Sequence, residues 1–216
     1  MTPFAFFDLD NTLVDQTGAL RAWAEQFVSD RGLDPAAVDY LAVKSSTAET
    51  WTEYAAGFKR HFNLPDSVEQ LVRDVTDTYP RYFTLDAEVE SGLRLLRAEG
   101  WKLAVLTNGA TAMQSAKIDR AGLRDLVDGV FISEAVGVPK PDRLIFERAA
   151  QQLGVQLGRR TGWMVGDNLE ADIAGGIGAG LRTVWLHRGR PLDVADPQPD
   201  HLCDSMADAL KLLAIG

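Results

Sequence analysis

Two acidic side chains follow directly on an apolar stretch near the start of the chain. The segment Phe4–Phe7 is apolar throughout, which is typical of a short central strand buried on both faces. Asp8 and Asp10 come next, and because side chains alternate along an extended chain, both carboxylates would point the same way. Such close like charges repel unless a cation or a proton lies between them, and oxygen ligands favour a hard ion such as magnesium. The pair therefore indicates a metal site, although a plain polar turn through Asn11 would also explain it.

Further polar residues stand where other predicted strands end, or on a loop before a helix. Carboxylates with magnesium, a hydroxyl with backbone amides at the start of a helix, and one ammonium are the groups needed to hold and attack a phosphate dianion. Each group also has a plainer explanation, as a turn that starts a helix, a solvated loop lysine, or an acid favoured by a helix dipole. The residues concerned are Thr107 and Asn108, Asp167 and Asp172, and Lys140.

The elements that must position these residues alternate between helix and strand from residue 86 onward. Short apolar runs that end in turn residues predict strands, and the longer amphipathic stretches between them predict helices. About five strands separated by helices predict an α/β fold with a parallel, doubly wound, Rossmann-like sheet, and the ligands of such sheets lie beyond the carboxyl ends of the strands. The predicted strands are Phe4–Phe7, 103–106, 129–133, 162–165 and 181–186, and the predicted helices of this part include 87–99, 113–121, 143–153 and 207–213.

Residues 16–85 differ from the rest of the chain because they contain several helical patterns and no clear strand. A helix is expected over 17–32, and a capping-box spacing at 46–49 precedes a further helix that carries an aromatic stripe. Such a stripe is typical of a helix face that packs into a core. We therefore predict two domains, a core formed by 1–15 and 86–216 and a separate helical unit formed by 16–85.

The composition restricts the class of protein. The 216 residues are 46% hydrophobic, which is enough for a substantial core, and no apolar run approaches the roughly 20 residues of a membrane span. The formal charge of −9, from 31 acidic and 22 basic side chains, disfavours nucleic acid or an anionic membrane as a partner. The single cysteine, Cys203, excludes an internal disulfide. Since the start of the sequence also lacks a signal-peptide pattern, the reducing cytoplasm is the expected location.

Some other features of the sequence do not indicate a site. The glycine-rich run 175–180 closes a helix instead of following the first strand, so a dinucleotide-binding loop is not expected there. The three histidines are scattered and lack the spacing of metal ligands. Arg188 and Arg190 follow a strand end and could face the site, but we expect them in a solvated loop.

The motifs and their order resemble the haloacid dehalogenase (HAD) superfamily, most of whose members are magnesium-dependent phosphohydrolases, over nearly the whole chain. Four motifs in the right order, each at a predicted strand end or loop, form a specific signal, whereas any one alone would not. The helical unit resembles the C1 cap of the subgroup that contains phosphoglycolate phosphatases, nucleotidases, sugar-phosphate phosphatases, phosphomutases and dehalogenases. The matching segments are 6–13 (FFDLDNTL), 106–109 (LTNG), Lys140 within 138–142 (VPKPD), and 166–172 (GDNLEAD).

The resemblance implies a role for each of these polar residues. Asp8 would attack phosphorus to form an aspartyl-phosphate, and Asp10 would protonate the leaving oxygen and then activate the water that hydrolyses the intermediate. Magnesium would be bound by Asp8, the backbone carbonyl of Asp10 and Asp167. Thr107, the amide of Asn108 and Lys140 would bind the phosphate, and Lys140 would also act in catalysis by offsetting charge in the transition state and orienting Asp8. Asp172 would support Lys140 or a metal-bound water.

Other functions on related scaffolds stay open. A 2-haloacid dehalogenase would share the fold and Asp8, but a halide needs no acid to leave, and dehalogenases of this family resemble one another in lacking the second aspartate. Asp10 therefore favours phosphate chemistry. A phosphomutase would share every residue named, while a non-enzymatic phospho-receiver places its aspartate on a middle strand and lacks such a helical insert. The expected partner is a small phosphorylated metabolite, and the sequence leaves open which one it is and whether the protein is a monomer or a homodimer.

Overall fold

A computed structural model describes residues 2–48, 50–158 and 160–215, apart from the side chains of Ser46 and Thr47. The capping box predicted at 46–49 therefore lies outside the described residues. The chain divides into two compact units, one formed by Met1–Val14 with Thr84–Gly216 and the other by Asp15–Phe83. No helix within the described ranges is both long and apolar enough to cross a lipid bilayer.

The unit Asp15–Phe83 is built from the helices α1 (Gln16–Arg31), α2 (Ala37–Thr47), α3 (Trp51–Phe62) and α4 (Val68–Thr78), followed by a short 3₁₀ helix, Tyr79–Tyr82. Aromatic rings form much of its core, with the ring centroid of Trp23 6.2 Å from that of Tyr54 and 6.4 Å from that of Tyr79. The indole of Trp23 donates to the hydroxyl of Thr78 at 2.9 Å, and the hydroxyl of Tyr54 donates to the carbonyl of Leu41 at 3.1 Å. The aromatic rings thus bury their apolar bodies while their polar atoms keep hydrogen-bond partners.

The other unit is organised around a parallel sheet whose strands are β1 (Phe4–Phe7), β2 (Lys102–Thr107), β3 (Gly129–Ile132), β4 (Trp163–Gly166), β5 (Arg182–Leu186) and β6 (His201–Cys203). Their order across the sheet is β3-β2-β1-β4-β5-β6, and each neighbouring pair is parallel. The predicted parallel, Rossmann-like sheet is confirmed, and the described residues add a sixth strand at one edge. The sequence pattern missed β6 because this strand has three residues, two of them exposed, and so shows no apolar run.

Helices of this unit connect the strands and follow the last of them. They are α5 (Ala87–Ala98), α6 (Thr111–Arg120), α7 (Ser133–Val136), α8 (Arg143–Leu153), α9 (Gly175–Gly178) and α10 (Met206–Ile215). A π-helical segment, Leu169–Ala174, runs directly into α9. Helix α8 packs on β2 and β3. Helices α5 and α10 pack on each other, and in addition α5 packs on β2 and α10 packs on β5.

Both faces of the sheet are covered. On one face, Phe6 and Met164 belong to a cluster that includes Phe146 of α8. Side chains alternate along a strand, so Ala5 and Phe7 point to the opposite face, and they are fully buried as well. Because β1 is buried on both faces, it is apolar at every position, and the first polar residues come only after its carboxyl end.

Two aspartates connect neighbouring strands by hydrogen bonds at the amino ends of the strands. Asp128, just before β3, donates its backbone N–H to the carbonyl of Leu103 at 2.7 Å and accepts the N–H of Leu103 on its carboxylate at 2.9 Å. Asp200, just before β6, makes the same two contacts with Thr183 of β5, at 3.1 and 2.8 Å. Each carboxylate thereby satisfies a buried backbone N–H that would otherwise need another partner.

Replacing Asp128 by alanine is expected to lower the free energy of unfolding by about 1–3 kcal/mol at pH 7, because the buried N–H of Leu103 loses its acceptor. Partial burial acts against the charge, but hydrogen bonds from Leu103 and Lys102 hold the pKa of Asp128 below its ordinary value. A carboxyl group with a depressed folded pKa stabilises the protein above its unfolded pKa and loses that contribution as the pH falls through the folded value. Urea unfolding should therefore show the full difference between variant and wild type at pH 7 and a smaller one below about pH 4.

Asp125→Ala is the matched control for this measurement, because Asp125 lies three positions earlier and is exposed. A similar loss of stability in both variants would contradict the assignment. So would a difference between Asp128→Ala and wild type that does not change with pH.

Candidate active site

The carboxylate of Asp8 lies at the end of β1 and is paired with a lysine. The N–H of Asp8 continues the strand ladder by donating to the carbonyl of Val165 in β4 at 2.9 Å. Lys140, on the loop before α8, reaches the same edge of the sheet, and its Nζ donates to Asp8 Oδ1 at 2.7 Å. Asp8 is 8% exposed and Lys140 is 3% exposed, so each charge depends on the other for compensation. The fold thus joins two of the predicted site residues that are 132 positions apart in the chain.

Asp172 shares Lys140 with Asp8. The Nζ of Lys140 donates to Asp172 Oδ1 at 2.6 Å, and the N–H of Asn168 donates to Asp172 Oδ2 at 3.0 Å. Asp172 lies in the π-helical segment and is completely buried. Gly166 has no room for a side chain, because a Cβ atom there would overlap the carboxylate of Asp172. With both oxygens bound to protein donors, Asp172 is well placed to orient Lys140.

Asp167 follows β4 and is held by groups on and after β5. Its carbonyl accepts hydrogen bonds from the indole N–H of Trp185 at 2.9 Å and from Arg190 Nη2 at 2.6 Å. The same Nη2 of Arg190 lies 3.3 Å from Asp167 Oδ2. Arg190 lies in an exposed loop, as expected, with its side chain 48% exposed, and it also contacts Asp167 at the site. The chain turns after β5 through Arg188, which has a φ of 50°, and spacing along the sequence does not reveal this reversal.

Asp8, Asp167 and Asp172 form a cluster of carboxylates that could hold a metal ion. Each offers one oxygen, and these oxygens all lie within 4.8 Å of one another. Within the described part of the chain, Asp8 Oδ2 and Asp167 Oδ1 accept no hydrogen bond, whereas both oxygens of Asp172 do. An oxygen-only set of this kind suits a hard divalent cation such as magnesium. The residues present therefore fit such an ion, with Asp8 and Asp167 offering the available side-chain oxygens.

The proximity of these charges shifts the pKa values of the cluster. Burial raises the pKa of Asp8 to about 7, with repulsion from Asp172 adding to the rise and Lys140 opposing it. Burial and the charge of Asp8 also raise the pKa of Asp167. Burial disfavours the ammonium of Lys140, but the carboxylates of Asp172 and Asp8 outweigh this effect and raise the pKa of Lys140. A divalent cation would favour the ionised form of the same carboxyl groups.

The loop between β2 and α6 is hydrogen-bonded to the loop that carries Lys140. The side chain of Asn108 donates to the carbonyl of Lys140 at 2.9 Å and accepts the N–H of Lys140 at 2.8 Å. One residue further on, the N–H of Gly109 donates to the hydroxyl of Ser133 at 3.0 Å. Thr107 precedes this loop as the last residue of β2 and is 1% exposed. Because β1 and β2 are adjacent and parallel, Thr107 and Asn108 lie at the same sheet edge as Asp8.

Asp10 contacts two residues of α6 that the sequence analysis did not single out. The Nζ of Lys117 lies 2.9 Å from Asp10 Oδ1 and 2.8 Å from Oδ2, and Nε2 of Gln114 donates to Oδ2 at 2.9 Å. Gln114 also donates to the hydroxyl of Thr107 at 2.7 Å. Both side chains are buried, next to apolar residues on the inward face of α6. A lysine and a glutamine three positions apart on an otherwise apolar helix face were the signal that could have indicated them.

These features define a class of protein. A Rossmann-like sheet with buried acids, a lysine and a threonine beyond its carboxyl edge is an α/β enzyme architecture, because ligands of such sheets bind at that edge. The family model for haloacid dehalogenase-like hydrolases matches residues 4–180. The chain belongs to this family, and it is a hydrolase.

Curated relatives and solved structures agree with this assignment. The chain is 35% identical over 208 residues to the pyrimidine 5'-nucleotidase YjjG of Escherichia coli (strain K12), covering 88% of this chain and 89% of that protein. It is 30% identical over 200 residues to the glyceraldehyde 3-phosphate phosphatase of Pyrococcus abyssi, covering 88% and 83%. The crystal structure of a dehalogenase aligns with a TM-score of 0.78 at 21% identity, covering 99% of this chain and 97% of that one, which shows a shared fold.

Proposed function

We propose that this phosphoric monoester hydrolase removes phosphate from a small phosphorylated metabolite through an aspartyl-phosphate on Asp8, with magnesium as cofactor. The observation that carries the proposal is the pair of aspartates at the end of β1, with Asp8 held by the buried Lys140 and Asp10 held by α6. A carboxylate nucleophile beside a second carboxyl group can split one difficult displacement into two easier ones.

In the first step, Asp8 attacks phosphorus in line as the bond between phosphorus and the leaving oxygen breaks. Asp10 gives a proton to that oxygen, so the leaving group departs as an alcohol. The hydroxyl of Thr107, the amide of Asn108 and the ammonium of Lys140 bind the phosphate oxygens, whose negative charge they offset. The contact of 2.7 Å between Lys140 and Asp8 supports this arrangement, since the same ammonium can orient the nucleophile and receive the phosphate.

In the second step, water attacks the phosphorus of the aspartyl-phosphate and the bond to Asp8 breaks. Asp10 takes a proton from that water, which returns it to the state that it needs for the next substrate. Inorganic phosphate leaves and Asp8 is again a carboxylate. The same side chain thus acts first as acid and then as base, so its carboxyl group must be aligned with both bonds.

We assign the cation to Asp8, Asp167 and the backbone carbonyl of Asp10. When bound, magnesium supplies positive charge that offsets the repulsion between an anionic nucleophile and an anionic substrate. The unoccupied oxygens of Asp8 and Asp167 within the described residues support this assignment, whereas the fully bonded carboxylate of Asp172 suits support of Lys140.

The domain division predicted from the sequence, with a core of 1–15 and 86–216 and a cap of 16–85, enters the proposal as well. We propose that the helical unit acts as a cap that excludes bulk water during the reaction. The curated relatives act, by their names, on pyrimidine nucleotides and on glyceraldehyde 3-phosphate, which supports a small phosphorylated metabolite as substrate.

Phosphate release from a panel of nucleoside monophosphates, sugar phosphates, phosphoglycolate and p-nitrophenyl phosphate tests this proposal. EDTA is expected to lower the rate at least about a hundredfold, and added magnesium to restore it, because the cation offsets charge worth several kcal/mol. Circular dichroism with and without EDTA serves as the control for folding. Release that EDTA does not affect would contradict the metal assignment. No release from any substrate, combined with halide release from 2-chloropropionate, would favour a dehalogenase instead.

A further inference from the structure

We infer that Lys117 and Gln114 are positioning residues for the acid–base group Asp10, and that Gln114 also sets the direction of the phosphate-binding hydroxyl of Thr107. This inference rests on the proposed function, in which Asp10 exchanges a proton in both steps. Neither residue belongs to the motifs that indicated the site, because both lie on α6, behind the loop that follows β2.

Three contacts fix the carboxylate of Asp10. Within the described residues, Asp10 Oδ2 accepts two hydrogen bonds, from Lys117 at 2.8 Å and from Gln114 at 2.9 Å, whereas Oδ1 accepts one, from Lys117 at 2.9 Å. A carboxylate oxygen can accept about two hydrogen bonds. Oδ2 is therefore saturated and serves as the anchor, while Oδ1 keeps a lone pair for the proton that Asp10 gives up and takes back.

Gln114 extends this arrangement to the phosphate-binding loop. Because a carboxylate only accepts hydrogen bonds, Gln114 must present its NH₂ group to Asp10, and the same NH₂ group lies 2.7 Å from Thr107 Oγ1. The hydroxyl of Thr107 consequently acts as acceptor toward Gln114. Its one O–H then donates, in this structure to the carbonyl of Asn108 at the long distance of 3.5 Å, and a phosphate oxygen at this sheet edge would be an alternative acceptor. One side chain thus aligns both the acid–base group and a phosphate-binding group.

Burial argues that this arrangement serves more than stability. Lys117 is 2% exposed and Gln114 is 3% exposed, while the side chain of Asp10 is 19% exposed. A buried ion pair is a weak source of stability, since well-packed apolar residues of similar volume are often as good or better. The benefit of a buried lysine here is geometric, because two contacts to one carboxylate hold the plane of that group.

The test compares substrates that differ in their need for an acid. With a sugar phosphate or another alkyl phosphate, the leaving oxygen needs a proton, so Lys117→Met should lower kcat about ten- to a hundredfold with little change in KM. Gln114→Leu should lower kcat as well and also raise KM, because Thr107 loses the contact that sets the direction of its hydroxyl. With p-nitrophenyl phosphate, the leaving group departs without a proton. Lys117→Met should then keep a rapid burst of one p-nitrophenolate per enzyme, followed by slow turnover, because hydrolysis of the aspartyl-phosphate still needs Asp10 as a base.

A double-mutant cycle separates positioning from a general structural effect. If Lys117 acts through Asp10, the double variant with Asp10→Asn and Lys117→Met should lose no more activity than Asp10→Asn alone. Lys211→Met, at an exposed lysine of α10, is the matched control and should change neither burst nor turnover. If Lys117→Met does not fold, as judged by urea unfolding, Lys117→Gln and its double variant with Asp10→Asn replace it in the cycle.

The outcomes distinguish this inference from the proposed function. Additive losses in the cycle, or equal losses of burst and turnover in Lys117→Met with p-nitrophenyl phosphate, would overturn the positioning role of Lys117. An unchanged KM in Gln114→Leu would overturn the role of Gln114 toward Thr107. Wild-type enzyme without phosphate release from any substrate would overturn the proposed function itself. For this reason wild type and Asp8→Asn are measured first, on the same substrates.

Discussion

Asp8→Asn is expected to abolish phosphate release, lowering kcat/KM by roughly ten-thousandfold or more. An amide oxygen does not attack phosphorus, and the substitution also removes one of the two carboxylates to which we assign the proposed cation. The fold should tolerate the change, because asparagine matches aspartate in shape and Lys140 keeps its ion pair with Asp172 at 2.6 Å. A neutral group also relieves the repulsion that, together with burial, raises the pKa of Asp8. Phosphate release and urea unfolding, measured in parallel, check both parts of this expectation.

Asp119→Asn is the control for this substitution, because the side chain of Asp119 is 57% exposed on α6 and lies outside the site. Its activity should equal that of wild type. Trapping of a hydroxylamine-sensitive phosphoenzyme in wild type but not in Asp8→Asn would support the covalent intermediate. Residual phosphate release above about one per cent in Asp8→Asn, from protein shown to be free of wild type, would exclude Asp8 as the nucleophile.

Lys140→Met is expected to lower the rate of phosphate release about a thousandfold or more. Unlike Asp8→Asn, it is also expected to destabilise the protein. Methionine keeps much of the volume but leaves the carboxylates of Asp8 and Asp172 buried without their shared ammonium, at 2.7 and 2.6 Å in the wild type. Removing one partner of a buried ion pair typically costs about 3–5 kcal/mol, because the remaining charge is uncompensated. Urea unfolding and phosphate release of the variant measure the two effects.

A second variant separates the two roles of Lys140. Adding Asp172→Asn to Lys140→Met removes one of the two uncompensated carboxylates, so part of the lost stability should return. Activity should not return, because no ammonium then faces the phosphate. Recovery of activity together with stability would mean that Lys140 has only a structural role.

Much of the site was predictable because the relevant spacing is local. Asp8 and Asp10 flank one residue at the end of an apolar run, and Asp167 follows another such run. In a parallel sheet all carboxyl ends meet at one edge, so the order of short motifs predicted which side chains would share a site. The contact between Lys140 and Asp8 at that edge agrees with this expectation.

Other features depended on packing between distant segments. Lys117 meets Asp10 across 107 positions, and Arg190 meets Asp167 only because the chain reverses after β5. The strand β6 forms on hydrogen bonds to β5 and lacks an apolar run of its own. Periodicity predicts which face of a helix is buried, but not which group on another element the buried face will meet. The sequence by itself therefore determined the family and the sheet, and it predicted the acidic residues of the candidate site. Only the tertiary structure decided which side chains hold those acids in place, because that depends on how α6 and the turn after β5 pack against the strand ends.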